Sequence, residues 1–433
     1  MTTFDAVLPL VTQVLHEHAS GLPAIGPLLV NRDLNGRIRL IVEEARRTDP
    51  VVMAALTSIC DQLQQRLGPH AYPATRAVLF ESDMTAALDG ATAFPLEGFE
   101  QVRVVDRLAT ESDWAHIAPE STGVPRVVFF SIKGGVGRST ALAATAWSTA
   151  QAGKRVLVLD LDLESPGLSS ALLPAERRPT YGICDWLVED LVDNGDAVFA
   201  DMTGSSTLAR DGEIWVVPAH GRDPGAYVSK LGRAWMPKMQ TNGQRESWSQ
   251  RLNRLIDALE ARWQPDVILV DSRAGIDEIA SSCVTGLGAP LVLLFALNGD
   301  QTWSGYRMLF QHWLNAGVAE EIRNRLQIVA AMVPELGAPE YVDELRELSF
   351  DLFTEELYDQ IPPGEIIGER WNFDLDDEGA SHAPWLIRWH RGFAALRSLH
   401  SRLETVDAQE VQAVFGHFLN GLNNFTGSEI SPS

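Results

Sequence analysis

SIKGGVGRSTALAA, residues 131–144, decides how this chain is read. Three glycines, Gly134, Gly135 and Gly137, separate the apolar run RVVFFSI from an alanine-rich stretch of helical character. Placed between a strand and a helix, such a loop lets backbone N–H groups curl around phosphate, with the positive end of the helix dipole behind them. Ser139 is positioned to offer its hydroxyl to Mg²⁺, and Thr140 to lie beside an α-phosphate. A plain structural turn needs neither so many glycines nor the Ser-Thr pair. The anomaly is Arg138, where a phosphate loop ordinarily carries lysine. Arginine keeps the charge but is longer, planar and forked, so the exchange is not conservative.

Outward from the loop, short apolar runs alternate with helical patterns: RVVFFSI, ALAATAWSTAQAG, RVLVLDLD, and later EIWVVPA, DVILVDS, PLVLLFALN and LQIVAAMV. Continuous apolar runs read as strands buried on both faces, and their alternation with helices as βαβ units. The predicted fold class is therefore α/β, a P-loop NTPase with a mostly parallel central sheet flanked by helices, spanning residues 123–404. Residues 1–122 read as a small α+β N-terminal domain. It has helices at FDAVLPLVTQVLHEHA and PVVMAALTSICDQLQQRL, and strands at RIRLIVEE, RAVLF and QVRVVDRL. ATESDWAHIAPESTGVP reads as a linker. Residues 405–433 form a C-terminal helix and tail. There Val411, Val414, Phe415, Phe418, Leu419 and Leu422 fall at helical spacing, a pattern that serves packing or a docked partner.

Composition narrows the partners. The 433 residues, 45% of them hydrophobic, are enough to fill real cores. Lys plus Arg number 35 against 58 Asp plus Glu, a formal charge of −23, which opposes broad contact with a phosphate backbone. Nucleic acid is not an expected partner. Cys60, Cys184 and Cys283 form no CxxC pair, so reduced core thiols are expected rather than disulfides or a thiolate metal site. The N-terminal segment lacks a basic n-region, and the longest apolar runs fall well short of the roughly 18 to 20 residues that span a bilayer. A cytoplasmic protein with no membrane partner is expected.

KGGVGRST, followed by VLVLDLD and later by DVILVDSRAG, resembles the ParA/MinD family of deviant Walker-A ATPases, and YGICDWL, the strand into VVPAHG and YDQIPPGE follow in the family's order. The resemblance implies ATP and Mg²⁺ held by Lys133, Gly134, Gly135, Val136, Gly137, Arg138, Ser139, Thr140 and Gly275. It further implies a homodimer with nucleotide sandwiched at its interface, Lys133 reaching across to the partner's phosphates. Asp160 and Asp162, at i and i+2, are expected to share one face at the end of a strand. In the family these positions serve magnesium and the attacking water. Asp160 is assigned to the metal's surroundings and Asp162 to orienting water. Asp271 ends the apolar run DVILV and, like a Walker-B acid, would hold Mg²⁺ through water. The metal set is then Ser139, Asp160 and Asp271, and the catalytic set Lys133, Asp160 and Asp162. In the second switch Gly275 would offer its N–H to the γ-phosphate, while Arg273 reads as a surface arginine paired to an acid. Asn298 and Gln301 fall where the family senses nucleotide and packs its dimer.

The resulting expectation is an ATP-hydrolysing dimeric switch. It would signal its nucleotide state to a protein partner through the N-terminal domain or the C-terminal helix. The KGGVGR variant also resembles components of multi-gene bacterial systems for defence or signalling. Alternatives are a non-hydrolysing ATP-dependent scaffold and a ParA-like partitioning ATPase. The last requires basic surface, and the charge gives a direct check. Random-sequence duplex DNA at physiological salt should form no sub-micromolar, salt-sensitive complex in a fluorescence-anisotropy titration. Such a complex would revive partitioning.

Overall fold

A computed structural model of the chain describes residues 2–88, 91–108, 113–240, 243–361, 370–393 and 399–427. Residues 109–112 of the linker, the YDQIPPGE motif from residue 362 onward and the tail beyond 427 lie outside the described residues. The chain divides into two compact units, Met1–Ala115 and His116–Ser433.

In the first unit the two expected helices form, Phe4–Glu17 and Pro50–Leu67. The second starts sharply because Asp49 accepts from the N–H of Val51 at 2.9 Å and proline fills the first helical position. Val7, Val11 and Val14 face Val52, Leu56, Ile59 and Leu63 in one core. A five-stranded mixed sheet runs in the order Val78–Glu81, Ile38–Glu43, Leu28–Arg32, Val102–Asp106, Thr92–Pro95. The strands Leu28–Arg32 and Thr92–Pro95 were not predicted. Each is short, and LLVNR has too little alternation to stand out.

The second unit is built on an eight-stranded sheet in the order Trp385–Arg388, Leu326–Val333, Leu291–Ala296, Arg126–Ser131, Val267–Asp271, Arg155–Asp160, Glu213–Val217, Gly204–Ser205. All of its neighbouring pairs are parallel except the short Gly204–Ser205 edge. The expected mostly parallel α/β sheet is what forms. The first strand, Arg126–Ser131, lies in the interior of the sheet and is buried on both faces. Its Phe130 packs edge-on to Tyr306 of helix Asp300–Ala316 on one side. Val127 and Phe129 join the other layer with helix Arg138–Gln151 and the C-terminal helix Ala408–Thr426. Ala118 and Ser121, within the segment read as a linker, are tied to this unit by backbone hydrogen bonds to Thr285 and Gly288, both 2.8 Å.

The C-terminal helix spends its apolar stripe on packing. Val411, Val414, Phe415, Phe418, Leu419 and Leu422 are all buried in the second unit's core. Phe418 makes a triangle with Phe129 and Phe295 of two central strands, both centroid separations being 6.2 Å, and meets Trp385 at 6.3 Å. Trp371 lies in a separate aromatic group with Tyr358 and Phe373, while Trp389 stays 42% exposed. The three cysteines are buried and free.

Phe418→Ala would leave a cavity against the central strands. We expect it to destabilise the second unit by about 3–5 kcal/mol, read from urea unfolding followed by tryptophan fluorescence. A cost below about 1 kcal/mol would mean that the helix does not bear on the core.

Candidate functional site

The strand Arg126–Ser131 delivers the chain to the sheet's C-terminal edge, where it turns through Lys133–Gly137 and enters helix Arg138–Gln151. Two devices shape the loop. Gly135 (φ 77°) and Gly137 (φ 87°) adopt left-handed backbone that a side chain would disfavour. Ser131 donates from Oγ to the Lys133 carbonyl at 2.8 Å, pinning the loop's start. A Cβ added at Gly134 or Gly135 would meet nothing within 4 Å, so the loop presents an open backbone face. Val136 is buried as its anchor, while Lys133 is exposed and has no ion-pair partner among the described residues. The Gly275 N–H, expected to face a γ-phosphate, donates to the Ser131 carbonyl at 2.9 Å, because the segment after Asp271 runs beside the end of that strand.

Three carboxylates gather next to the loop. Asp160 and Asp271 are the last residues of adjacent parallel strands and are register partners, so both are held at the same edge. Asp162 arrives differently from the expectation. Its strand stops at Asp160, but the Leu161 N–H donates to the Asp271 carbonyl at 3.0 Å and keeps the chain at the edge, and the turn closed by the Ser165 N–H on the Asp162 carbonyl at 3.2 Å begins there. Burial, and then the charges of Asp271 and Asp162, push the Asp160 carboxyl well above the ordinary carboxylate range. Neither Asp160 oxygen has a partner at hydrogen-bond distance, so the Gly167 and Leu168 amides offset this only from farther away. Burial likewise raises Asp271 to about 6, against the pull of Arg138 and of the Ser139 hydroxyl, which donates to its Oδ2 at 2.7 Å. Asp162 is raised by its partial burial, and Arg138 is the largest influence opposing that rise.

Arg138 does not extend along the loop. Its side chain is 8% exposed and is turned onto the acids. Nη1 donates to Ser131 Oγ at 2.8 Å, Nη2 lies 3.5 Å from Asp162 Oδ2, and Nε is 3.9 Å from Asp271 Oδ1. Ser131 is a residue that sequence reasoning passed over, and its type alone carries no signal for this role. Arg273 pairs with Glu164 at 2.5 Å and Asp277 at 3.0 Å, tying the segment after the second strand to the segment after Asp271. Asn298 is engaged by Glu344 at 2.6 Å and by the Tyr341 hydroxyl at 3.0 Å, and Gln301 is exposed.

Two hollows adjoin the loop. A polar cleft of ≈ 810 Å³ is lined by Ser139, Thr140, Ser165, Gly167, Arg178 and His400, among others. A small slot of ≈ 70 Å³ lies between Gly137, Thr140, Met332, Trp389 and Phe393. Met332 reaches it because the strand Leu326–Val333 shifts register there and Met332 takes φ 55°, a conformation rare for methionine and invisible in the sequence.

The residues present fit a divalent cation held beside phosphate. Both oxygens of Asp160 and Oδ1 of Asp271 are buried without hydrogen-bond partners, next to a hydroxyl. Among the described residues no three His, Cys, Asp or Glu side chains form a ready-made cage. That suits Mg²⁺, which keeps several waters and takes few protein ligands.

The strain of this cluster is testable. The unfolded Asp271 carboxyl titrates near 3.8 and the folded one near 6, so in that window only the folded state holds the proton. Stability therefore falls as pH rises from 3.8 to 6, by at most about 3 kcal/mol. In magnesium-free buffer with EDTA, Asp271→Asn should melt at a higher temperature than the natural protein above pH 6. The advantage should shrink to nothing below pH 4. An equal or lower melting temperature at pH 7 would contradict the repulsion argument.

Comparison with known proteins identifies the family. Residues 127–428 match the CobQ/CobB/MinD/ParA nucleotide binding domain (CbiA). The septum site-determining protein MinD of Buchnera aphidicola subsp. Baizongia pistaciae (strain Bp) is 28% identical over 151 residues, 35% of this chain and 45% of that protein. The match thus spans less than half of that relative's length. Among solved structures, pNOB8 ParA bound to nonspecific DNA is similar at 16% identity over 71% of this chain and 99% of that one, with a TM-score of 0.44. MinD of Pyrococcus horikoshii OT3 complexed with Mg-ADP is similar at 18% identity over 70% and 98%, with a TM-score of 0.41. With a family match over residues 127–428, most of its length, this chain belongs to the CobQ/CobB/MinD/ParA nucleotide-binding family.

Proposed function

We propose that this chain is an ATP-binding, ATP-hydrolysing molecular switch that closes into a homodimer around its nucleotide and reports its state to a protein partner. The observation that carries the reading is the buried, under-compensated pair Asp160 and Asp271 beside an open glycine loop, with the Ser139 hydroxyl already on Asp271. Ser139, with Asp160 and Asp271 behind it, would hold Mg²⁺, which when bound supplies charge neutralisation to the β- and γ-phosphates. The Gly134–Gly137 backbone binds phosphate, and Thr140 bounds the site on the α-phosphate side. Asp162, less buried than the other two acids, orients water and accepts its hydrogen bond. Lys133, exposed and without an ion pair among the described residues, is free to reach the phosphates of a second copy.

The partner and the process belong to the same proposal: a protein partner, in a bacterial multi-gene defence or signalling system. The apolar face of the C-terminal helix is taken up in the core, which leaves the N-terminal unit as the favoured reader of the nucleotide state. No described helix is long and apolar enough to cross a membrane.

Calorimetry with Mg²⁺ should show micromolar ATP binding and much weaker GTP binding, the sequence having no guanine-reading NKxD motif. Mass measurement with ATP should show a dimer that Lys133→Ala abolishes, while ATP binding by the monomeric variant persists. A variant that still dimerises with ATP would refute the role across the interface. A dimer without phosphate release would convert the switch into a scaffold.

A further inference from the structure

We propose that Arg138 is the resident counter-ion of the acid cluster and shares its place with the divalent cation, so that a cation enters readily only when phosphate draws the guanidinium away. This rests on the reading that the site takes nucleotide phosphate together with Mg²⁺. It gives the arginine a role that lysine could not fill.

The geometry is a three-way span. One planar group donates to Ser131 Oγ at 2.8 Å and faces Asp162 Oδ2 at 3.5 Å and Asp271 Oδ1 at 3.9 Å. A lysine ammonium is a compact point charge and cannot address all three at once. Ser131 is itself committed, donating to the Lys133 carbonyl, so the guanidinium is anchored through the loop's own hinge. Its contacts to the two acids are longer than the roughly 2.7–2.9 Å of a tight charge-assisted hydrogen bond. The guanidinium therefore neutralises the acids by proximity without being locked to either.

Charge arithmetic sets the rest. Asp160, Asp162 and Asp271 bring three carboxylates, and Arg138 is the cation paired with two of them. A dication seated at Asp271 would face this guanidinium across the same oxygen, and like charges at such range repel strongly where water is scarce. Triphosphate offers the fork a bidentate alternative. As the fork turns to phosphate, Asp271 Oδ1 is released to the cation, while the Ser139 hydroxyl already addresses Oδ2. Nucleotide and metal binding are then positively coupled through one side chain, and the coupling is reciprocal.

The test uses the full-length chain and Mn²⁺ followed by electron paramagnetic resonance, first without nucleotide. The natural protein should bind Mn²⁺ weakly, and Arg138→Met should reach half-saturation at about tenfold lower Mn²⁺, one adjacent cation having been removed. Asp271→Asn in the Arg138→Met background should lose the gain, placing the ion at the acids. Arg138→Lys, which keeps the charge and guards against a variant that fails to fold, should fall between the two. Adding ATP should tighten Mn²⁺ binding severalfold more in the natural protein than in Arg138→Met. Equal Mn²⁺ affinities without nucleotide for the natural protein, Arg138→Lys and Arg138→Met would overturn the inference, as would a gain that survives Asp271→Asn. Failure of the natural protein to bind ATP in calorimetry would instead strike the nucleotide reading, because the Mn²⁺ comparison is made without ATP.

Discussion

Two carboxylates that lie side by side, buried from solvent, constrain the rest of this site. Asp160 and Asp271 end neighbouring parallel strands in register, so the sheet itself brings like charges together, and the Ser139 hydroxyl, the Arg138 guanidinium and the Gly167 and Leu168 amides compensate them only in part. A fold selected for stability alone would place apolar residues at both positions. Buried carboxylates with raised pKa values in such a place are the mark of a candidate functional site. The surrounding features follow from that buried charge. The Ser139 hydroxyl is directed at one acid, the Arg138 guanidinium spans two, and the glycine loop leaves room for an anionic ligand that would bring its own cation.

The same sheet supplies the rigidity the site requires. The strand leading into the loop is buried on both faces and wedged between aromatic groups, Phe130 against Tyr306 on one side and Phe129 against Phe295 and Phe418 on the other. The C-terminal helix thus acts at a distance. By filling the layer beneath the loop it fixes where Ser131 and Lys133 begin, although it donates no group to the acids.

Around that rigid floor the two flanking segments are joined more loosely. Arg273 links Glu164 to Asp277 through ion pairs between partly exposed side chains, a class of contact worth about 0–1 kcal/mol. A tie that weak holds the segments in register yet opens at little cost. An added Cβ at Gly167 or Gly275 would meet no neighbour within 4 Å, so both segments present open backbone there.

The sequence by itself determined the α/β class, the loop and the identity of its acids, because these depend on local spacing. Short continuous apolar runs rich in Val, Ile and Leu and alternating with helical patterns read as doubly buried strands, and glycines between a strand and a helix suit a phosphate loop. It also determined the C-terminal helix, though not whether its stripe met core or partner, since periodicity describes a face and not what covers it. Only the tertiary structure decided the rest. The i, i+2 argument placed Asp162 on a strand that in fact ends two residues earlier, and the bond from the Leu161 N–H to the Asp271 carbonyl supplies the proximity instead. Met332 joins the site through a register shift that no residue type announces. The direction of Arg138 was undecided for the same reason. A side chain of that length reaches phosphate, serine or carboxylate equally well, and which it meets is set by three strands far apart in sequence that parallel pairing brings to one edge.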